Sequence, residues 1–368
     1  MKIIALYLPQ YHPTEHNDIW WGKGFTEWTN VGKARPLFKG HYQPKVPADL
    51  GYYDLRLPVV REQQAELARE AGVTGFCYYH YWFGNGEMEL ELPFKEVVES
   101  GNPDFPFCVC WANETWGRKM WNLDGSIAKR EILAEQKYLG AKDNELHFNY
   151  LLKAFKDERY IKVHGKLVFA IYRPLAFDKI KEFMSQWQDL AQKHNLPGFY
   201  FIGYTTDIKV EYNELMALGL DAIIDCNIAE PLYEGKKRST FSKACIHLKR
   251  NLLNLPTIIP YKKAIKYFTS PYNTQPNVFP TLLPNWDHTP RSGKGGYLFE
   301  NSTPELFEEH ATHILNCVKQ KDEEDQVIFL KSWNEWGEGN YMEPDLKFGK
   351  GYIKSLRKVV DKFVQIEG

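Results

Sequence analysis

Short runs of β-branched and aromatic residues alternate along the chain with longer stretches whose apolar positions recur every three or four residues. The first pattern predicts strands at Ile3–Leu8, Gly75–Tyr79, Phe107–Trp111, Leu167–Tyr172, Tyr200–Tyr204, Ala222–Asp225, Phe279–Leu283 and Val327–Ser332. The second predicts helices at Leu55–Ala71, Phe94–Ser100, Asp143–Asp157, Ile180–His194, Tyr212–Leu218, Pro304–Gln320 and Gly351–Phe363, with a further helix inside Phe241–Leu253. Strands alternating with helices are the signature of parallel βα units. Eight such units make an α/β fold of the (β/α)8 TIM-barrel type. A doubly wound sheet is the alternative, but no G-x-G-x-x-G follows the first strand. No low-complexity linker or internal repeat divides the sequence, so residues 1–368 read as one barrel catalytic domain.

Two insertions interrupt this rhythm. Pro9 to Leu50 follows the first strand and is crowded with aromatics. Gly235 to Trp286 has no Asp or Glu but carries Lys236, Lys237, Arg238, Lys243, Lys249, Arg250, Lys262, Lys263 and Lys266. Loops this long in a compact barrel are usually functional, and both are expected at the C-terminal face, where barrel sites are built.

A net charge of −1 gives no reason to expect a nucleic-acid partner. Aromatic residues make up 15% of the chain and include 11 Trp. Flat faces with polar tips suit sugar rings, so this composition leans towards a carbohydrate ligand. Of the six Cys, Cys77, Cys108, Cys110 and Cys226 lie in or beside apolar strand runs and read as small buried hydrophobes. The spacing Cys108-x-Cys110 is not that of a zinc or redox site. Free buried thiols suit a reducing compartment. The apolar run Ile3 to Leu8 is too short for a signal-peptide core, and no stretch approaches a membrane span, so a cytoplasmic location is expected.

The strongest chemical signal is Trp333-Asn334-Glu335-Trp336-Gly337-Glu338-Gly339, followed by Tyr341, at the end of the last predicted strand. Glycosidic cleavage needs one protonated carboxyl at the leaving oxygen and one ionised carboxyl at the ring. Two glutamates in one pocket push their pKa values apart and supply both forms near neutral pH. Gly337 and Gly339 permit the sharp turn that brings both to one cavity. Glu335 and Glu338 are therefore the candidate catalytic pair.

Three further clusters follow other strands and are candidate sugar contacts: Tyr79, His80, Tyr81 and Trp82 after the second, Trp111, Asn113, Glu114 and Trp116 after the third, and Trp286, Asp287 and Arg291 after the seventh. Each mixes flat apolar faces with hydrogen-bonding tips, as ligand pockets do. Trp333, Asn334, Trp336 and Tyr341 belong with the glutamate motif, and Tyr11, Glu27 and Trp28 come from the first insertion. Glu27 and Glu114 read either as hydroxyl binders, as a third acid, or as satisfied structural carboxylates. His12 and His16 have H-x-x-x-H spacing, but Pro13 places them in a loop, so no metal site is assigned. No cofactor motif is present: there is neither a Walker loop nor a G-x-S-x-G elbow. The basic insertion reads by default as a solvated face. Its sharper reading is a surface for an anionic or lipid-linked glycan.

The segments LYLPQYHP, GFTEWTNV, YYHYWF, WANETW, NWDHTPR and SWNEWGEG, in that order from Leu6 to Gly339, together resemble the WbsX-like family of bacterial polysaccharide gene clusters. That family is related to the endo-α-mannosidases of glycoside hydrolase family 99. The resemblance implies a (β/α)8 barrel and metal-independent glycoside chemistry. It also implies that Glu335 assists a substrate 2-hydroxyl, which attacks the anomeric carbon to give a 1,2-anhydro sugar. Glu338 would then be general acid and afterwards base. By the same resemblance, Trp111, Glu114, Asp287 and Arg291 line sugar subsites. WbsX-like proteins are also described as lipopolysaccharide glycosyltransferases. The expectation is therefore a retaining hydrolase of α-mannoside-like linkages in a bacterial polysaccharide, with a glycosyltransferase as the alternative.

Overall fold

A computed structural model describes residues 1–121, 127–234 and 255–367. Eight parallel strands form its centre: β1 (Lys2–Tyr7), β2 (Gly75–Gly84), β3 (Phe107–Trp111), β4 (Lys166–Ile171), β5 (Phe199–Thr205), β6 (Ala222–Asp225), β7 (Val278–Leu282) and β8 (Val327–Leu330). Each pairs with the next, and β1 pairs with both β8 (Lys2↔Val327) and β2 (Ile4↔Gly75), so the sheet closes into a (β/α)8 barrel. Closure buries both faces of each strand, which is why these segments read as continuous apolar runs with no polar alternation. Ile3 to Leu6, Phe107 to Cys110 and Leu167 to Ile171 are all fully buried. The outer ring holds α1 (Pro58–Ala71), α2 (Leu92–Ser100), α3 (Ala141–Phe155), α4 (Ile180–Lys193), α5 (Ile208–Ala217), α6 (Pro304–Val318) and α7 (Gly351–Glu367). The helix expected within Phe241–Leu253 lies outside the described residues, as do Lys236, Lys237, Arg238, Lys243, Lys249 and Arg250.

Strand ends agree with the sequence pattern to within a residue or two except in β2, which continues past Tyr79 to Gly84. Its far end pairs with Glu87–Glu89 in an antiparallel turn-back, so Tyr79 to Phe83 belong to a strand and not to a loop. Most indoles serve the core instead of a ligand. Several of their N–H groups find internal acceptors: Trp187 bonds Asn144 O (3.0 Å), Trp111 bonds Trp82 O (3.0 Å) and Trp28 bonds Tyr53 O (2.7 Å), whereas that of Trp286 is buried without one among the described residues. Cys77, Cys108, Cys110 and Cys226 are buried free thiols. Among the described residues no helix is long and apolar enough to cross a membrane.

Three insertions rise from the C-terminal strand ends. Between β1 and α1 lie the short helices Glu15–Trp21 and Glu27–Gly32, started by the Thr14 and Thr26 caps. After β3 comes the antiparallel pair Trp116–Trp121 and Ile127–Ala134. Between β6 and β7, the described part contains strand Thr257–Pro260, which pairs in parallel with Tyr297–Glu300 beyond β7.

Candidate active site

The last barrel strand ends at Leu330, and the next residues fold back at once. Ser332 Oγ accepts the backbone N–H groups of Asn334 (3.2 Å) and Glu335 (2.9 Å), which turns the chain. Asn334–Glu335 then pairs antiparallel with Asn340–Tyr341 across the turn Trp336–Glu338. Gly339 closes it at φ +54°, where an added Cβ would lie 2.8 Å from Asp287 Cβ. The hairpin is fastened to the barrel by Asn334, whose side chain accepts from Leu8 N (2.8 Å) and donates to Leu8 O (3.0 Å). Trp336 stacks on Tyr341 with centroids 3.7 Å apart and donates its indole N–H to Glu343 (2.6 Å). The two glutamates leave this hairpin on the same side and hydrogen-bond to each other.

They meet in a cavity of about 520 Å³ at the C-terminal mouth of the barrel, within the size range of ligand pockets. Glu335 lies deeper, with Lys331 Nζ 3.3 Å from its Oε2. Glu338 is bonded by Arg291 Nη1 and has His288 Nε2 at 3.6 Å. Arg291 also reaches Glu27 through Nε (3.1 Å) and Nη2 (3.0 Å). These surroundings separate the pair. Burial raises the Glu335 carboxyl to about 8, against the pull of the Lys331 ammonium and with the help of the Glu338 charge. Burial acts the same way on Glu338, but Arg291 and Lys331 outweigh it and hold that carboxyl down to about 2. The two shifts run in opposite directions: burial favours the neutral form of Glu335, and Arg291 favours the ionised form of Glu338.

Aromatic and polar side chains from several elements form the walls. Tyr79 and Tyr81 project inward from β2, two residues apart on one face, and Tyr172 follows the end of β4. The hydroxyls of these three tyrosines meet no hydrogen-bond partner among the described residues, and all three side chains line the cavity. Glu27, Glu114, Trp116 and Arg291 also line it, as do Trp21, Phe25, Lys33 and Lys331. Glu114 is half-exposed and paired with Arg173 (3.1 Å). Lys331 was missed in the sequence, although a lone charge after the apolar run Val327 to Leu330, next to the glutamates, is a readable sign of a barrel-end group. Tyr172 was read only as the end of a strand.

Several sequence-derived contacts stand elsewhere. His80 and Trp82 alternate with Tyr79 and Tyr81 and so point out of the barrel, where both stack on His147 of α3. His80 Nε2 is 2.8 Å from His147 Nε2, and burial lowers its pKa to about 3, which makes it a neutral core group and not a hydroxyl binder. Trp111 faces the same way and packs on Phe183. Asn113 ties two loops through Arg173 N (2.7 Å) and Tyr138 OH (2.9 Å). Tyr11 lies beneath the hairpin, donating to Asn334 O and accepting from Trp336 N (3.0 Å). Trp28, Asn334, Trp336 and Tyr341 support the same turn, and Trp333 is buried against Phe76. Trp286 stands behind Lys331, whose ammonium is 5.7 Å from the ring centre. Asp287 is anchored by His41 (2.8 Å), Gln43 (2.6 Å) and Thr289; burial opposes its charge, but these donors and Lys45 hold it down to about 2. It borders a separate cavity of about 50 Å³. None of these side chains lines the cavity that holds the glutamates; they support its walls from behind. Among the described residues no group of three or more His, Cys, Asp or Glu is placed to hold a metal ion.

Comparison with known proteins is consistent with this geometry. The family described as Glycosyltransferase WbsX matches residues 3–356. Proteins named WxcX from two strains of Xanthomonas campestris pv. campestris are 29% identical over 366 residues, covering 98% of this chain and 50% of theirs. The chain thus spans about half the length of the curated relatives it matches. Among solved structures, a GH99 endo-α-mannosidase from Bacteroides thetaiotaomicron in complex with bis-tris-propane superposes with a TM-score of 0.56 at 15% identity, covering 99% of this chain and 98% of the other. A glycoside hydrolase-like protein gives the same TM-score at 15% identity, covering 97% and 93%. At these identities the likeness is one of fold.

Proposed function

This chain belongs to the Glycosyltransferase WbsX family, and from that premise and the geometry of its cleft we propose a glycan-processing enzyme that cleaves α-mannoside-like linkages of a bacterial polysaccharide with retention. The carrying observation is the contact of Glu335 with Glu338 inside an aromatic-walled cavity, where their surroundings shift the two carboxyls in opposite directions. The barrel acts as a single catalytic unit. In the first step Glu335, as carboxylate, takes the proton of the substrate 2-hydroxyl while its oxygen attacks the anomeric carbon. Glu338, as acid, protonates the departing oxygen, leaving a 1,2-anhydro sugar. In the second step Glu338 draws a proton from water, which opens that ring at the anomeric carbon, and Glu335 returns its proton to O2.

In the free cleft the two pKa shifts favour the proton on Glu335. Productive binding reverses that bias, with the acid proton on Glu338 and the charge on Glu335 once the sugar is in place. A hydroxyl group between the two is the natural bridge, and the negative charge left on Glu335 is met by Lys331 at 3.3 Å. Tyr79, Tyr81 and Tyr172 offer free hydroxyls to the rest of the ring.

Glu338→Gln is expected to lose turnover of unactivated oligosaccharides by about 100-fold or more, within the usual contribution of general acid catalysis, while activated aryl glycosides lose far less because they need no proton. Glu335→Gln is expected to impair both. Equal losses on both substrates in Glu338→Gln would remove it from the acid role. The family description favours a second reading, a glycosyltransferase of surface-polysaccharide assembly. Nucleotide release on incubation with sugar nucleotides and an acceptor, with no hydrolysis of any glycoside, would establish that reading instead. A lipid-linked or anionic glycan meeting the basic stretch between Gly235 and Trp286 is compatible with both.

A further inference from the structure

Trp21 is out of place for a structural tryptophan. It is 43% exposed, whereas Trp187, Trp333 and Trp336 are buried. Exposing an indole forfeits the apolar burial that makes the residue valuable to a core, and its N–H has no partner among the described residues. Yet the ring is not loose. Phe25 packs against it with centroids 5.7 Å apart and planes at 31°, and the Arg118 guanidinium sits 5.7 Å from its centre. Arg118 is fixed in turn. It bonds Glu131 on the paired strand through Nε (3.1 Å) and Nη2 (2.6 Å), and it donates to the Trp20 carbonyl. The hairpin that follows β3 and the helix Glu15–Trp21 are thereby joined into one wall, with Trp20 edge-on to Trp116. Trp21 and Trp116 both line the cavity that contains the glutamates, and Trp116 leans on Tyr81 with centroids 5.0 Å apart. A cavity of about 520 Å³ that takes in buried Glu335, the three tyrosines and a braced, 43% exposed indole exceeds what one pyranose needs.

We propose that Trp21, braced by Phe25 and Arg118, is the platform of an outer subsite that stacks a second pyranose ring of an α-mannoside-like glycan. This rests on the reading of the cleft as a glycan site, and it makes Trp21 a specificity residue for chain length, with no part in bond cleavage. An aromatic face takes the apolar C–H side of a pyranose, while the indole N–H is free to donate to a ring hydroxyl.

The test is calorimetric titration of mannose and of α-mannotriose into the Glu338→Gln protein, which holds the ligand uncleaved, with and without Trp21→Ala. Trp21→Ala is expected to raise the trisaccharide Kd about tenfold and to leave the mannose Kd within about twofold, the loss of one stacking contact far from the carboxylates. Trp21→Phe is expected to recover most of the trisaccharide affinity, since it keeps the face. An unchanged trisaccharide Kd in Trp21→Ala would overturn the proposal, as would an equal loss for mannose or no trisaccharide binding by the parent. Turnover of an aryl α-mannoside by the unmutated chain separates the two readings. Turnover together with a Trp21-independent Kd ends the subsite alone, and a Trp21-dependent Kd without turnover upholds the subsite and ends the hydrolase.

Discussion

Gly337 has to be glycine because of a residue from the other end of the chain. A Cβ there would sit 1.9 Å from Glu27 Oε2 and 3.2 Å from Arg291 Nε, inside the ion pair that holds Glu338. Gly337→Ala is therefore expected to push Glu27 off Arg291 and lower kcat/KM by at least tenfold, whereas Gly32→Ala, with nothing within 4 Å, leaves it unchanged. Comparing the two variants' initial rates checks this; parity between them refutes the clash. Titration of the carboxyl pair supplies a second expectation. The reactive form holds one proton, so kcat/KM stays level from acid to neutral pH and falls as that proton is lost above about pH 8. Lys331 favours ionised Glu335, so Lys331→Met is expected to move the alkaline limb to higher pH; a pH–rate profile with the limb unmoved would count against the contact. The glutamates were legible because their spacing, indoles and strand-end position are all local. Lys331 carried a local sign of the same kind and was overlooked; Tyr172 and the Glu27–Arg291 pair carried none, since single residues far apart in sequence make no local pattern.

At the level of elements, β2 decides most about the site. Its extension to Gly84 converts a reading of Tyr79 to Trp82 as one sugar-binding loop into two faces, with tyrosines inward and His80 and Trp82 outward against α3. The sequence pattern ended this strand at Tyr79 because an unbroken aromatic run has no period of its own, and only pairing with Cys110 and Trp111 sets which residues face in. The outward histidines make a testable lock. Burial drives the pKa of His80 to about 3 and lowers that of His147, so the folded form keeps both neutral while the unfolded chain takes up protons below about 6.5. The unfolded state then binds more protons, so stability is full above that pH and drains as pH falls towards the folded values. Each imidazole contributes up to about 1.4 kcal/mol per pH unit across that window. Urea melts at pH 7.5 and 5.0 are expected to show the loss, and a His147→Phe variant is expected to show a smaller one; identical pH slopes would exclude the pair as its source.

Seen as a whole molecule, the barrel was readable in outline because a closed parallel sheet buries every strand on both sides and so writes eight apolar runs into the chain. The alternation of strands and helices, the C-terminal location of the glutamate motif and the free thiols in apolar strands all follow from one-dimensional pattern and are present in the structure. Which aromatics reach the cavity does not follow from pattern. Composition suggested a pocket rich in indoles, but packing sent Trp82, Trp111 and Trp187 to the shell between strands and helices and left Trp21 and Trp116 at the cleft. The reason is physical. Hydrophobic periodicity records only whether a position is buried, and a core and a ligand pocket ask for the same residues. Closing the barrel decides which buried face meets protein and which meets the cavity, and it alone brings Glu27, Arg291, Lys331 and the two glutamates within reach of one another.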